Sequence, residues 1–241
     1  MQPESGTDGH AGSEATPGSF EDRLRRAAAC PFEGWRELYE SFSPVDLATG
    51  ERRPRTPPPD NGSRRAAVLV PVIPHPEGAH LVYTLRKGHL QDHAGQISFP
   101  GGGRERSDAT LLDTALREAR EEIGLPPSEV EVLGQLEEMY IPPSDYRVSP
   151  FVGLLPVRAE LELAPDEVEE IFTVPLGALM SREAFQRVPW ERDGRRYEVP
   201  VFAVDGVTAD SGEGALRRYE IWGATAAMTA GLLCRLGWQP G

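Results

Sequence analysis

Apolar residues return along the chain in two rhythms. Across residues 110–123, Leu112, Ala115, Leu116, Ala119 and Ile123 recur at helical spacing and predict an amphipathic helix with one buried stripe. Ser107 or Asp108 is placed to cap its start, and Gly124 followed by Pro126 supplies the stop. Elsewhere the rhythm is that of strands. Residues 66–73 form a Val-rich apolar run, residues 74–78 a turn and residues 80–86 a second strand, which together predict a hairpin. A short strand over 95–99 leads into Gly101-Gly102-Gly103. Residues 130–139 and 148–157 predict two further strands, separated by Pro142, Pro143 and Ser144. Residues 166–172 and 174–185 carry helical spacing, and 197–204 alternate like an edge strand. Residues 219–236 read as one long apolar helix in which Ala224, Ala227, Ala230 and Gly231 permit close packing. Strands interspersed with helices predict an α/β fold, an α/β/α sandwich with a mixed sheet.

Upstream the pattern fades. Residues 1–18 are Gly, Ser, Glu, Thr and Pro without periodicity and predict a disordered tail. Phe20, Leu24, Ala27 and Ala28 suit one short helix, and Trp35, Leu38 and Tyr39 a second, with Pro31 between them. Residues 43–63 hold Pro44, Pro54, Pro57, Pro58 and Pro59 among charges and read as an extended linker. The expected organisation is a tail over 1–18, a helical and Pro-rich extension over 19–63, and the main domain over 64–241.

Composition narrows the function classes. Apolar residues make up 39% and charged residues 26%, as in a water-soluble globular domain. The net charge of −13 excludes sequence-independent nucleic-acid binding, which needs a basic face. Cys30 and Cys234 have no metal-ligand spacing and read as ordinary thiols of a reducing compartment. No apolar run approaches the ~18 residues that span a membrane, and the N-terminal residues do not resemble a signal peptide. The cytoplasm is the expected location, and no membrane partner is expected.

The chemistry concentrates near the end of the 110–123 helix. At about 100° per residue, Glu118, Glu121 and Glu122 fall in one sector beside the apolar stripe. Like charges at this spacing repel, and anions in a last helical turn oppose the helix dipole. A solvated acidic face relieved by Arg117 and Arg120 is the plain alternative. The glycine turn upstream favours a site instead, because clustered carboxylates beside exposed backbone carbonyls suit a hard cation such as Mg²⁺ or Mn²⁺.

Arg117-Glu118-Ala119-Arg120-Glu121-Glu122-Ile123-Gly124-Leu125 matches R-E-U-x-E-E-x-G-U, with U apolar, the second half of the Nudix box. The chain therefore resembles the Nudix hydrolases. It departs at Ala109, where the general box has Glu; counted from Gly102 the loop is one residue longer, and Asp108 is the nearest acid. Just upstream, Val82-Tyr83-Thr84-Leu85-Arg86, Gly95 and Phe99-Pro100-Gly101-Gly102 resemble the signature of the coenzyme A pyrophosphatase branch. Lys87 replaces a small residue of that signature and Gln91 an arginine. The resemblance covers about residues 64–238.

The resemblance implies a Nudix-type sandwich and divalent-metal hydrolysis of a nucleotide diphosphate. It makes Glu118 and Glu122 metal ligands, Glu121 a further one, and the carbonyl near Gly102 or Gly103 a neighbour, with Arg117 holding the glutamates in place. For the general base, Glu118 and an acid outside the box stay open; Glu167 is the outside candidate, and a dipole-stabilised acid at a helix start is its alternative. Arg86 ends a strand that leads to the site and is a candidate for substrate phosphate, with Lys87, Arg104 and Arg106 as looser ones. His89 and His93 read as polar loop residues. Tyr140 and Tyr146 can stack on adenine or pack at a rim, and Trp222 reads as packing. Ser98 lies in no G-x-S-x-G elbow, so acyl transfer is not supported. The expected substrate is coenzyme A or an acyl-CoA. ADP-ribose, a dinucleotide or a nucleoside triphosphate is the alternative, and a nucleotide-binding module without hydrolysis belongs to another class. The oligomeric state is left open, a homo-oligomer included.

Overall fold

A computed structural model describes residues 19–52, 55, 62–76, 78–88, 95–209 and 215–240. Its centre is a hairpin of β2 (Arg64–His75) and β3 (Gly78–Arg86), registered antiparallel through Val72↔Leu81. Both strands are apolar on both faces, because the sheet is covered on both sides. Two short strands follow. In β4 (Ile97–Ser98), Ser98 pairs with Thr84, and β5 (Gly101–Gly103) lies along the first half of β2 through Ala67↔Gly102.

The helix α3 (Leu111–Ile123) starts at Thr110, whose hydroxyl accepts from the Asp113 amide while the Asp113 carboxylate accepts from the Thr110 amide. Thr110 is thus the N-cap, not the predicted Ser107 or Asp108. Gly124 ends the helix in the left-handed region at φ +67°, as its position suggested. Next come β6 (Glu131–Gln135), β7 (Met139–Ile141) and β8 (Tyr146–Leu154), where β8 runs parallel to β2 from Arg64↔Tyr146 to Val72↔Leu154.

The C-terminal third departs most from expectation. Residues expected as helix form β9 (Val168–Pro175), the short helix α4 (Leu176–Leu179) and the start of β10 (Phe185–Arg192). β9 sits between β3 and the long β11 (Arg195–Thr208), so its backbone is spent on two neighbours, and pairing overrides the local spacing. β11 is not an edge strand: β10 and β12 (Leu216–Trp222) flank it. The long apolar helix is shorter than expected. Its first turn is instead β12, and α5 (Gly223–Arg235) begins at Gly223, where φ is +64°.

Among the described residues the sheet has twelve strands, and its main path runs β11-β9-β3-β2-β8-β6 after a two-residue strand β1 (Val45–Asp46). Antiparallel pairs surround the single parallel β2–β8 pair, so the sheet is mixed. One face carries α3 over Ala67, Leu69, Val82 and Phe151. The other carries α5 with α1 (Phe20–Ala29) and α2 (Trp35–Ser41), whose Leu24, Leu38 and Tyr39 join the larger core together with Phe42, the residue that caps α2. The fold is the expected α/β/α sandwich. Within the expected linker, Val45 and Asp46 pair with Glu198 and Tyr197, and Arg55 is buried, its Nε donating to Ser43 Oγ at 3.1 Å. Residues 1–18, the expected tail, lie outside the described residues. Among the described residues no helix is long and apolar enough to cross a membrane.

Candidate active site

The site forms where α3 crosses the glycine strand β5. Ala115 and Ala119 on α3 are fully buried, and their small size brings the helix close to the sheet. The carboxylates one residue along from this stripe then meet backbone. A Cβ placed on Gly102 would come within 2.5 Å of Glu118 Oε1, so only glycine leaves room for that carboxylate. One turn later Glu122 accepts from the Gly101 amide through Oε2 at 3.2 Å and from Arg86 Nη1 through Oε1 at 2.9 Å. The Glu122 side chain is only 2% exposed. Burial pushes its carboxyl up to about 7, against the pull of Arg86, with the charges of Glu118 and Glu167 adding to the shift. Glu118 is shifted upward for the same reason, opposed by Arg117 and helped by Glu121 and Glu167.

Arg117 organises the near side. Its Nη1 reaches Glu118 Oε1 at 3.0 Å and Glu121 Oε2 at 2.8 Å, and its Nη2 donates to the Gly103 carbonyl at 3.1 Å. The far side of the same guanidinium lies on Asp108, Nε to Oδ1 at 3.0 Å and Nη2 to Oδ2 at 3.1 Å. This two-pronged pair fixes the plane of the guanidinium. Asp108 is buried and also accepts from the Glu105 amide and from Thr114 Oγ1, each at 2.9 Å. The Arg117 hydrogen bonds hold its carboxyl down at about 2, against the effect of burial. From the sequence, Asp108 was a candidate helix cap and the acid nearest the departed Glu, not a partner of Arg117. The signal that would have assigned it was the Thr110-Leu111-Leu112-Asp113 capping box, which takes over the cap and frees Asp108 for Arg117.

The other predicted residues divide. Glu121 is turned outward, its side chain 58% exposed against Arg117. Arg86 is committed to Glu122 in this conformation. Glu167 lies in the turn before β9, where its charge reaches both Glu118 and Glu122; the helix proposed for it is absent. Lys87 donates its amide to the Glu167 carbonyl at 3.0 Å and its Nζ to the Pro165 carbonyl. Arg104 laces the loop by donating to the Asp108 and Ala109 carbonyls, and Arg106 is exposed. Ser98 Oγ meets Thr84 Oγ1 at 3.0 Å. Tyr140 donates to Asp145, Tyr146 lies under the Arg64 guanidinium at 4.1 Å, and Trp222 packs edge-on to Trp190 at 4.8 Å. His89, Gln91 and His93 lie outside the described residues.

The donor chemistry fits a divalent ion. Two shielded carboxylates one helical turn apart face a strand of glycines, and hard oxygen donors are what Mg²⁺ and Mn²⁺ take. Among the described residues no group of three acidic, His or Cys side chains stands together closely enough to hold an ion, because Glu121 points to Arg117.

This site and fold are those of a Nudix domain, and a model of that family matches residues 63–195. The chain belongs to the Nudix hydrolase family, whose members generally need a divalent metal ion. Its relatives include the uncharacterized Nudix hydrolase NudL of Pectobacterium atrosepticum, 35% identical over 76% of this chain and 88% of the relative. NudL of Escherichia coli O1:K1 is 35% identical over 73% of this chain and 85% of that protein. A solved Nudix hydrolase of M. smegmatis, RenU, is 21% identical with a TM-score of 0.41, over 56% of this chain and 80% of that one.

Proposed function

We propose that the chain is a pyrophosphohydrolase that uses Mg²⁺ or Mn²⁺ to cleave the diphosphate of coenzyme A or an acyl-CoA. The products are 4′-phosphopantetheine, acylated where the substrate is, and adenosine 3′,5′-bisphosphate. The observation that carries the reading is the buried Glu118–Glu122 pair set against the Gly101–Gly103 strand. The coenzyme A assignment rests on the Thr84-Leu85-Arg86 and Phe99-Pro100-Gly101-Gly102 matches.

Glu118 and Glu122, with Glu121, would hold the metal, and the carbonyl of the glycine turn would stand beside them. When bound, the ion offsets negative charge on the phosphoryl oxygens and lowers the proton affinity of a water. Arg117, fixed by Asp108, aligns Glu118 and Glu121. Glu167 takes the proton of the attacking water as general base. The water oxygen then bonds to phosphorus as the bridging P–O bond breaks and the second phosphate leaves. Arg86, which pairs with Glu122 at 2.9 Å, would contact substrate phosphate once Glu122 serves as a metal ligand. Gly102 leaves room for the Glu118 carboxylate, and its backbone would stand beside the substrate diphosphate.

The test is chromatographic analysis of coenzyme A incubated with the protein and Mg²⁺ or Mn²⁺, run beside Glu122→Gln. Adenosine 3′,5′-bisphosphate from the wild type alone supports both site and substrate. Lys87 and Gln91, which depart from the coenzyme A signature, favour a second reading in which ADP-ribose or another nucleoside diphosphate derivative is the substrate. Turnover of ADP-ribose without turnover of coenzyme A would select it. Saturable nucleotide binding with no turnover of either would mark a non-catalytic module.

A further inference from the structure

The turn that carries Glu167 is secured at both of its ends, to different elements. At one end the Glu162 amide donates to the Ile123 carbonyl at 2.9 Å and the Ala164 amide to the Glu122 carbonyl at 3.1 Å. These are carbonyls that the last turn of α3 leaves without helical donors. The approach is close: a Cβ on Gly124 would come within 2.8 Å of Glu162 Cβ. Between the ends, the amides of Glu167 and Val168 both turn back onto the Ala164 carbonyl, at 3.3 and 3.0 Å.

At the other end the only side chain in the described structure that reaches the turn by a hydrogen bond is Lys87. It follows the bulge at Leu85/Arg86, where the β3–β9 register shifts and Arg86 comes opposite Val168. Its amide takes the Glu167 carbonyl and its Nζ takes the Pro165 carbonyl, so one residue holds the turn from both sides of Asp166. A small residue at position 87 would keep the first bond and lose the second. The turn also carries Asp166 and Glu167, adjacent like charges, and the charge of Glu167 repels Glu118 and Glu122 of α3. An ammonium on the Pro165 carbonyl opposes that repulsion where it would push Glu167 outward.

We propose that Lys87 is a positioning residue, which holds the Glu167 turn against α3 and keeps Glu167 beside the Glu118–Glu122 pair. The proposal rests on the reading of Glu167 as the base. It gives a use to a lysine that stands where the coenzyme A signature has a small side chain. It also assigns Lys87 to the protein's own backbone and not to substrate phosphate.

The experiment compares wild type, Lys87→Met, Lys87→Arg, Glu167→Gln and the Lys87→Met/Glu167→Gln double variant. Two readouts are needed: amide hydrogen exchange over residues 160–170 without substrate, and kcat and KM with Mn²⁺ on coenzyme A and on ADP-ribose. Lys87→Met is expected to speed exchange of the Glu167 and Val168 amides several-fold and Lys87→Arg to restore protection, because either cation can donate to the Pro165 carbonyl. On whichever substrate is turned over, Lys87→Met should lower kcat about tenfold with KM little changed, the scale on which supporting groups around a metal site act. In the Glu167→Gln background the same change should have almost no further effect. Unchanged exchange in Lys87→Met overturns the proposal whatever the kinetics. So does a raised KM at constant kcat, which marks a substrate contact, or an equal loss of kcat in both backgrounds. Faster exchange with a fully active Glu167→Gln would instead reject Glu167 as the base and leave Lys87 as the holder of the turn.

Discussion

The two faces of the sheet solve different packing problems. Under α5 the core is aromatic: Phe42, Phe185, Phe202 and Trp238 meet at ring-centroid distances of 5.3 to 5.8 Å, and Tyr83 stacks between Phe99 and Phe172. Helices α1 and α2 thicken that layer. Under α3 the core is thin, with Ala67, Ala115 and Ala119 at its centre and glycines along β5. Bulk stabilises the first face. Small residues on the second let α3 lie close enough for Glu122 to accept from the Gly101 amide and for Glu118 to reach Gly102, and their charge meets Arg86 and Arg117, the latter fixed by Asp108. Under the proposed function, stability and chemistry fall on opposite sides of one sheet.

The largest effect that would test this division is on the aromatic face. Phe42→Ala should lower unfolding free energy by about 3–5 kcal/mol, as deletion of a buried aromatic does, while folded protein keeps its kcat. A loss below about 1 kcal/mol in urea titration, beneath the usual range for core truncation, would mean that the N-terminal extension does not belong to the core. Asp108→Asn comes next. Removing one partner of a buried pair should cost about 3 kcal/mol at neutral pH. Because the Asp108 carboxyl is depressed to about 2 in the folded state, its contribution is fully present above its unfolded value near 4. It fades as pH falls from about 4 towards 2, so wild type and Asp108→Asn should converge in stability there. A gap that persists at pH 2 would contradict the assignment.

On the α3 face the effects should appear in rate more than in stability. Glu122→Gln should reduce kcat by about 100-fold or more, at least the loss seen when outer partners of metal ligands are removed. Its midpoint in urea should move little, since the amide no longer carries a buried charge. Unfolding of the variant, with activity per folded molecule intact, would show that Glu122 serves the fold. The smallest effect is expected for Gly102→Ala, where the new Cβ displaces the Glu118 carboxylate; about a tenfold loss of kcat with weaker Mn²⁺ activation is expected. A metal titration of activity would register it.

The sequence disclosed these two faces unequally. The α3 stripe, its glycine stop and the hairpin were legible because each is local: the periodicity, the turn and the buried strands need no distant partner. The glutamates were legible because the residue pattern around Arg117 is dense. β9 was hidden by Val168, Ile171 and Phe172, which stand at helical spacing but are buried because β9 is paired on both sides. Residues 219–222 were hidden by continuity, because Tyr219, Ile221 and Trp222 lead directly into the apolar α5, with Gly223 as the overlooked boundary. The Asp108–Arg117 pair was legible only indirectly, through the capping box that leaves Asp108 free; the hold of Lys87 on Pro165 depends on how a loop folds back, and no spacing rule encodes that.

The parallel pairing of β2 with β8 has a consequence for the order in which the molecule is made. Arg64 pairs with Tyr146 only after the hairpin, the glycine turn and α3 have all been synthesised and brought round. Such non-local closure is slow, because chain entropy is lost before contacts compensate it. Until β8 arrives, α3 can lie on β2, β3 and β5, but the core beneath it lacks Phe151 and stays incomplete. Recovery of metal-activated turnover during refolding should therefore follow the β2–β8 closure and lag the formation of helix. The acidic helix is present early, and it becomes a site late.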